Sequence, residues 1–154
     1  MIKLILKIGL FVFLGASLLY ILWNPVERDK KNLVETRQKI ENGIVVYYFH
    51  GTQRCSACET IQELTSRALH RHFEKDLRDQ RIFYLPVNLD QPWNEHYIMD
   101  FKLSTKTVVL VRYLDGAQTE WKVLDDVWFL YEDEPKFIEF IRDELNSFIA
   151  GGSV

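Results

Sequence analysis

The sequence predicts an α/β domain with a mixed four-stranded sheet and helices on both faces, preceded by an N-terminal transmembrane helix. Three observations carry this. Two runs rich in β-branched and aromatic residues, Ile44–Phe49 and Ile82–Leu89, are each followed by residues with helical apolar spacing, the pattern of strand–helix crossovers and parallel pairing. Asp115-Gly116 lies between two further strand-like runs and suits a tight hairpin, so the last pair is antiparallel. Ile8 to Trp23 carries no charge.

Counted back past Lys7 to Leu4, the apolar stretch reaches 20 residues, enough to span a bilayer if Lys7 extends its ammonium to the interface. Tyr20 and Trp23 fall where an interfacial aromatic belt lies, and Asn24-Pro25 stops the helix. A cleaved signal peptide and an uncleaved anchor compete as readings. Cleavage needs small residues after the apolar run, whereas Gly15-Ala16-Ser17 interrupts it, which favours the anchor. Arg28, Lys30, Lys31, Arg37 and Lys39 follow the span, and a literal count of basic residues keeps the domain in the cytoplasm. Long domains behind an N-terminal signal translocate largely regardless of such charges. The expected placement is single-pass in the cell membrane through residues 4–23, with the domain on the extracytoplasmic (periplasmic) side.

The expected division is a membrane segment at 1–25, a linker helix at 26–42 and the α/β domain at 43–150. Leu33, Val34 and Ile40 set a loose helical period in the linker, which Gly43 ends. Ile44–Phe49 is continuous in β-branched and aromatic residues, as in a strand covered on both faces. Cys58, Ile61, Leu64, Ala68 and Leu69 make one face of a helix running to about Phe73. Lys75 to Arg81 reads as a polar connection. Pro86 has no N–H to donate, so the strand Ile82–Leu89 lies at an edge or bulges there. Asp90 to Phe101 reads as a helix with Asp90 as N-cap and Pro92 in its first turn. Thr107–Tyr113 and Gln118–Val123 are the hairpin strands, and Pro135 opens a last helix with a wide apolar face from Phe137 to Phe148.

At 154 residues and 47% hydrophobic composition the chain can bury a sizeable core. The formal charge is −3, and setting aside Lys3 and Lys7 leaves 17 basic against 22 acidic side chains. That balance excludes a phosphate-backbone binder, so no nucleic-acid partner is expected. His70 and His72 are two apart on a helix and point to different faces, so they are no metal pair. Phosphate-loop, Ser-His-Asp and H-E-x-x-H signatures are absent, and no cofactor is implied.

The chemistry concentrates at Cys55-Ser56-Ala57-Cys58, which holds both cysteines of the chain at a strand–helix junction. On the first turn of a helix such a pair can close and reopen a small disulfide. The unpaired N–H groups and positive end of the helix favour the first sulfur as thiolate. The bland reading is one or two buried apolar cysteines. Strand, CxxC, helix and the later Asp115-Gly116 hairpin together resemble the thioredoxin-like superfamily over Ile44 to Ile149. Tyr47-Tyr48-Phe49-His50-Gly51 with Arg54-Cys55-Ser56-Ala57-Cys58 also resembles a narrower group, the ArsF-type nitrophenyl-compound nitroreductase subunits. Against the larger thioredoxins, the first strand is missing or replaced by a Leu33–Ile40 helix.

The resemblance implies that Cys55 is the nucleophile and Cys58 the more buried resolving thiol of a redox-active disulfide. It also marks departures. Arg54 stands where thioredoxins carry Trp, and Ser56-Ala57 where they carry Gly-Pro. The strand before the site has no carboxylate to take a proton from the second Cys. Thr107 falls at the position of the cis-proline that faces the disulfide, and a non-proline there is expected trans. Arg54 adds positive charge beside Cys55, His50 at the strand exit can exchange protons with either cysteine, Thr107 lines the site through its backbone and hydroxyl, and Gly51 permits an unusual loop conformation. For Arg54 and His50 the bland readings are a solvated charge and a structural imidazole.

The leading function is a membrane-anchored thiol–disulfide oxidoreductase that exchanges electrons or disulfides with a protein partner near the membrane. Two alternatives stand beside it. Cys55 and Cys58 with His50 can ligate a thiophilic metal or metalloid. A non-catalytic subunit of a membrane complex can keep the fold and lose the chemistry.

Overall fold

The computed structural model describes residues 7–20 and 40–151. They form two units divided between Lys39 and Ile40. In the first, residues 7–20 make a helix, α1, whose side chains are exposed apart from half-buried Ser17. Fourteen helical residues reach about 21 Å, short of a hydrocarbon core of about 30 Å. Among the described residues no helix is long and apolar enough to cross a membrane. The rest of the expected 4–23 span and most of the 26–42 linker lie outside the described residues. The linker's described end is not helical: Ile40 is buried coil and Glu41–Asn42 a bend. Glu41 and Asn42 instead bond the hairpin turn, the Glu41 carbonyl accepting from Gly116 N–H at 2.8 Å and Asn42 Oδ1 from Asp115 N–H at 3.1 Å.

The second unit runs β1 (Gly43–His50), α2 (Ser56–His72), α3 (Glu74–Arg78), β2 (Ile82–Asn88), α4 (His96–Asp100), β3 (Val108–Leu114), β4 (Ala117–Leu124), α5 (Val127–Leu130) and α6 (Glu134–Gly151). The sheet order is β2-β1-β3-β4. β1 and β2 are parallel with Val46 opposite Tyr84, and β1 and β3 are antiparallel with Tyr48 opposite Val108. The β3–β4 hairpin is antiparallel and turns at Asp115 (φ 51°) and Gly116 (φ 74°), the left-handed pair of a tight turn. Among the described residues β2 is an edge strand, so the missing N–H of Pro86 costs no ladder bond on its outer side.

Central β1 is covered on both faces. Ile44, Val46 and Tyr48 pack under Ile61, Leu64 and Leu69 of α2 and under Phe137, Ile141 and Leu145 of α6. Tyr47 and Phe49 face the other way, against Tyr97 and Phe101 at centroid distances of 5.1 to 6.1 Å.

Three elements differ from expectation. The polar connection after α2 contains the short helix α3, with Asp76 held to Arg81. The helix expected over Asp90–Phe101 forms only at His96–Asp100, because Asp90 is drawn into the site loop and does not cap it. Asp126 starts a short α5 beyond the expected elements, tied down by Trp128 Nε1–H donating to the Lys106 carbonyl at 2.6 Å.

Candidate active site

β1 ends at His50, and Gly51–Arg54 carries the chain to Cys55, the N-cap of α2. Cys55 has extended backbone, and its Sγ accepts the Cys58 N–H at 3.2 Å. The sulfur thus takes the part that a Ser or Asp oxygen plays at other helix starts, using one of the unpaired N–H groups. That geometry favours negative charge on Sγ. Cys55 is exposed, whereas Cys58 faces the core at 4% exposure. The two are disulfide-bonded with Cα atoms 5.1 Å apart. One sulfur open to a partner and one shielded is the asymmetry a two-step exchange requires.

Two tyrosines hold the start of α2 from below. Tyr48 of β1 donates its hydroxyl to the Cys58 carbonyl at 2.5 Å, and Tyr84 of β2 donates to the Gln62 carbonyl at 3.1 Å. Burial pushes Tyr48 up to about 12, with the Arg54 charge opposing, and raises Tyr84 further, so both are neutral donors. Tyr48 is thus the polar group that this strand offers Cys58 in place of a carboxylate.

His50 is half-buried, its ring 5.9 Å from that of Tyr48 and its Nδ1 3.0 Å from the Gly51 carbonyl. Burial lowers its pKa below the ordinary value; the Gly51 carbonyl and Asp90 oppose this, while Arg54 and Lys106 reinforce it. It is therefore neutral at pH 7. With Nδ1–H donated to Gly51, Nε2 is left as the acceptor.

Gly51 does not adopt the unusual backbone conformation expected of it; positive φ among the described glycines is confined to Gly43 and Gly116. What it supplies is space. A Cβ there would stand 2.6 Å from Lys106 Nζ and 3.0 Å from Asp90 Oδ2. Asp90 accepts the Thr52 N–H at 2.6 Å, which holds its carboxyl below the usual range, and Asn88 donates to Thr52 Oγ1 at 3.1 Å. Lys106 Nζ also reaches the Gln53 carbonyl at 3.5 Å. The loop into Cys55 is therefore clamped by groups from the C-terminal end of β2 and just beyond it, and from the segment before β3.

Arg54 donates to Gln62 Oε1, so its guanidinium lies along α2. Thr107 is buried and trans, no cis peptide bond occurring among the described residues. Its hydroxyl donates to the Leu124 carbonyl at 3.0 Å and its carbonyl accepts the Phe49 N–H at 2.8 Å, so both groups are engaged within the sheet.

Tyr48, Tyr84, Asp90 and Lys106 were missed as site residues. Tyr48 had a signal: it shares a period-two face with Val46 and His50, beneath the helix. Lys106 and Asp90 had none, lying 55 and 39 residues from Gly51 in the sequence. Among the described residues no three His, Cys, Asp or Glu side chains are placed to hold a metal ion.

The fold is thioredoxin-like: a four-stranded mixed sheet flanked by helices, with the CxxC pair at the start of the helix that follows the central strand. Thioredoxins are among the solved structures it is similar to. Thioredoxin O2 of Arabidopsis thaliana, oxidised, is 15% identical over 70% of this chain and 88% of its own, with a TM-score of 0.42. Mitochondrial thioredoxin 3 of Saccharomyces cerevisiae, oxidised, is 11% identical over 69% and 88%, with a TM-score of 0.41. The thioredoxin of Fasciola hepatica is 20% identical over 75% and 90%, with a TM-score of 0.40. Likenesses this distant say nothing of activity. No family model and no curated protein matches, so nothing supports the narrower ArsF-type resemblance.

Proposed function

We propose that the protein is a membrane-anchored thiol–disulfide oxidoreductase that exchanges a disulfide with a protein partner near the membrane. The observation that carries this is the exposed Cys55 Sγ at the N-cap of α2, bonded to a shielded Cys58. In the reducing direction the Cys55 thiolate attacks a partner disulfide, forming a mixed disulfide and releasing one partner thiolate. Cys58, deprotonated, then attacks Cys55 Sγ, closing the internal disulfide and releasing the second. Two electrons pass to the partner, and the reverse sequence delivers a disulfide. A neutral His50 with Nε2 available supports its role as acceptor of the cysteine proton, and the Arg54 charge supports the thiolate. The exposed large apolar side chains of α1, Ile8, Leu10 to Leu14 and Leu18 to Tyr20, support membrane insertion, since such a surface is costly in water.

The test is the equilibrium reduction potential of the Cys55/Cys58 pair in the full chain. A reversible two-electron couple between about −120 and −270 mV is expected. Absence of any reversible disulfide would sink the reading and leave a metal-binding or adaptor role. A topology reporter fused after Val154 tests the extracytoplasmic placement, which activity confined to the cytoplasm would overturn.

A further inference from the structure

A cleft of about 520 Å³ runs along the outer flank of α2, lined in part by Arg54, which precedes Cys55 in the chain, and by Glu59, Gln62, Glu63, Arg67 and Tyr84. Tyr84 fixes one wall through its bond to the Gln62 carbonyl. Glu59 lies one turn beyond Cys55 on the same flank, its N–H bonded to the Cys55 carbonyl at 3.1 Å. The charges in the cleft differ in how they are committed. Arg67 is held by Glu63 and Glu134. Arg54 bonds the neutral amide of Gln62, and neither Arg54 nor Glu59 has an ion-pair partner among the described residues. Next to the reactive sulfur the cleft therefore presents one cation and one carboxylate, both exposed and neither neutralised. Its volume is that of a small-molecule site.

We propose that this cleft is a subsite for small disulfides whose thiol carries both a carboxylate and an ammonium group, of which glutathione disulfide is the probe. The inference rests on the exchange reading above and deepens it by naming a substrate class. Arg54 receives the carboxylate, Glu59 the ammonium, and the S–S bond lies at Cys55. The Cys55 thiolate attacks one sulfur, giving Cys55–S–S–R and one RS⁻. The Cys58 thiolate then displaces the second RS⁻ and closes Cys55–Cys58. Two electrons leave the dithiol, and the two RS⁻ take protons from solvent. Run backwards, the small thiol reduces the pair for its protein partner.

The test uses the reduced full chain carrying Cys58→Ser, in which the mixed disulfide accumulates. Its rate with glutathione disulfide is compared with that of hydroxyethyl disulfide, which carries no charge. Each rate is divided by that of a free Arg-Cys-Ser-Ala-Ser peptide, which removes intrinsic differences in disulfide reactivity. The ratio also cancels any change in the thiolate fraction. A roughly tenfold preference for glutathione disulfide is expected, cut about three- to fivefold by Glu59→Gln or by Arg54→Gln and reduced in 1 M salt. A ratio near one, or a preference that both variants retain, overturns the subsite and leaves the exchange reading standing. No reaction of Cys55 with either disulfide overturns both.

Discussion

Replacing Tyr48 with Phe isolates the hydrogen bond that ties the central strand to the redox turn. Tyr48 is 1% exposed and its hydroxyl donates to the Cys58 carbonyl. The ring stays in the core after the substitution, so no cavity opens. A net intramolecular hydrogen bond contributes about 0.5–1.5 kcal/mol. The Cys58 carbonyl lies inside α2, where the N–H four residues on also reaches it, so the carbonyl is not orphaned and the further penalty of about 1–3 kcal/mol does not arise. The expected loss is about 1 kcal/mol, a fall in Tm of roughly 3–6 °C. Tyr48→Ala, which empties the ring's volume, should cost about 3–5 kcal/mol. Urea denaturation of the full chain, oxidised and reduced, is the assay. A Phe variant as stable as the parent shows that the bond adds nothing, and a loss above about 3 kcal/mol means the carbonyl was orphaned; either refutes the reasoning. A loss that differs between the redox states appears as a shifted potential, about 30 mV for each 1.4 kcal/mol.

Reducing the disulfide should cost the domain about 2 kcal/mol or less, because a separation of three residues closes only a small loop in the unfolded chain; melts with and without dithiothreitol test this, and a loss above about 4 kcal/mol contradicts it. His50 has a folded pKa below its ordinary value near 6.5, so the unfolded chain binds that proton first as pH falls. Its contribution is therefore complete above about pH 6.5 and declines below it. His50→Gln should flatten that part of the stability–pH curve, and an unchanged slope would rule His50 out as its source. Gly116→Ala should cost about 1–2 kcal/mol from backbone conformation alone, since nothing lies within 4 Å of the added Cβ; a neutral result would show that the turn relaxes freely.

Much of the fold was legible because its signals are local. The β-branched and aromatic run Ile44–Phe49 has no helical period, so it reads as a strand wherever it is placed. Asp115 and Gly116 tolerate left-handed backbone, so the hairpin can be read from two residues. The Asp90–Phe101 helix was misread because Asp90 is equally good as a helix cap and as an acceptor for a distant loop N–H. Thr52 N–H won it, and that contest is settled 38 residues away. The same limit hid Lys106, whose place over Gly51 depends on how the segment before β3 meets the end of β1.

The sequence by itself determined the cysteine pair, its strand–helix setting and the hairpin, and narrowed the Pro86 strand to an edge or a bulge, because each follows from the conformational preferences of a few adjacent residues. Only the tertiary structure decided that β1 is central, with β2 and β3 on either side, which puts Tyr48 and Tyr84 on neighbouring strands, two residues out of register, beneath α2. It likewise decided that Cys58 is shielded while Cys55 is open, and that Lys106 and Asp90 clamp the loop between strand and sulfur. Those facts depend on groups that meet only once the sheet is paired. Burial then changes their chemistry, and no local pattern records either event.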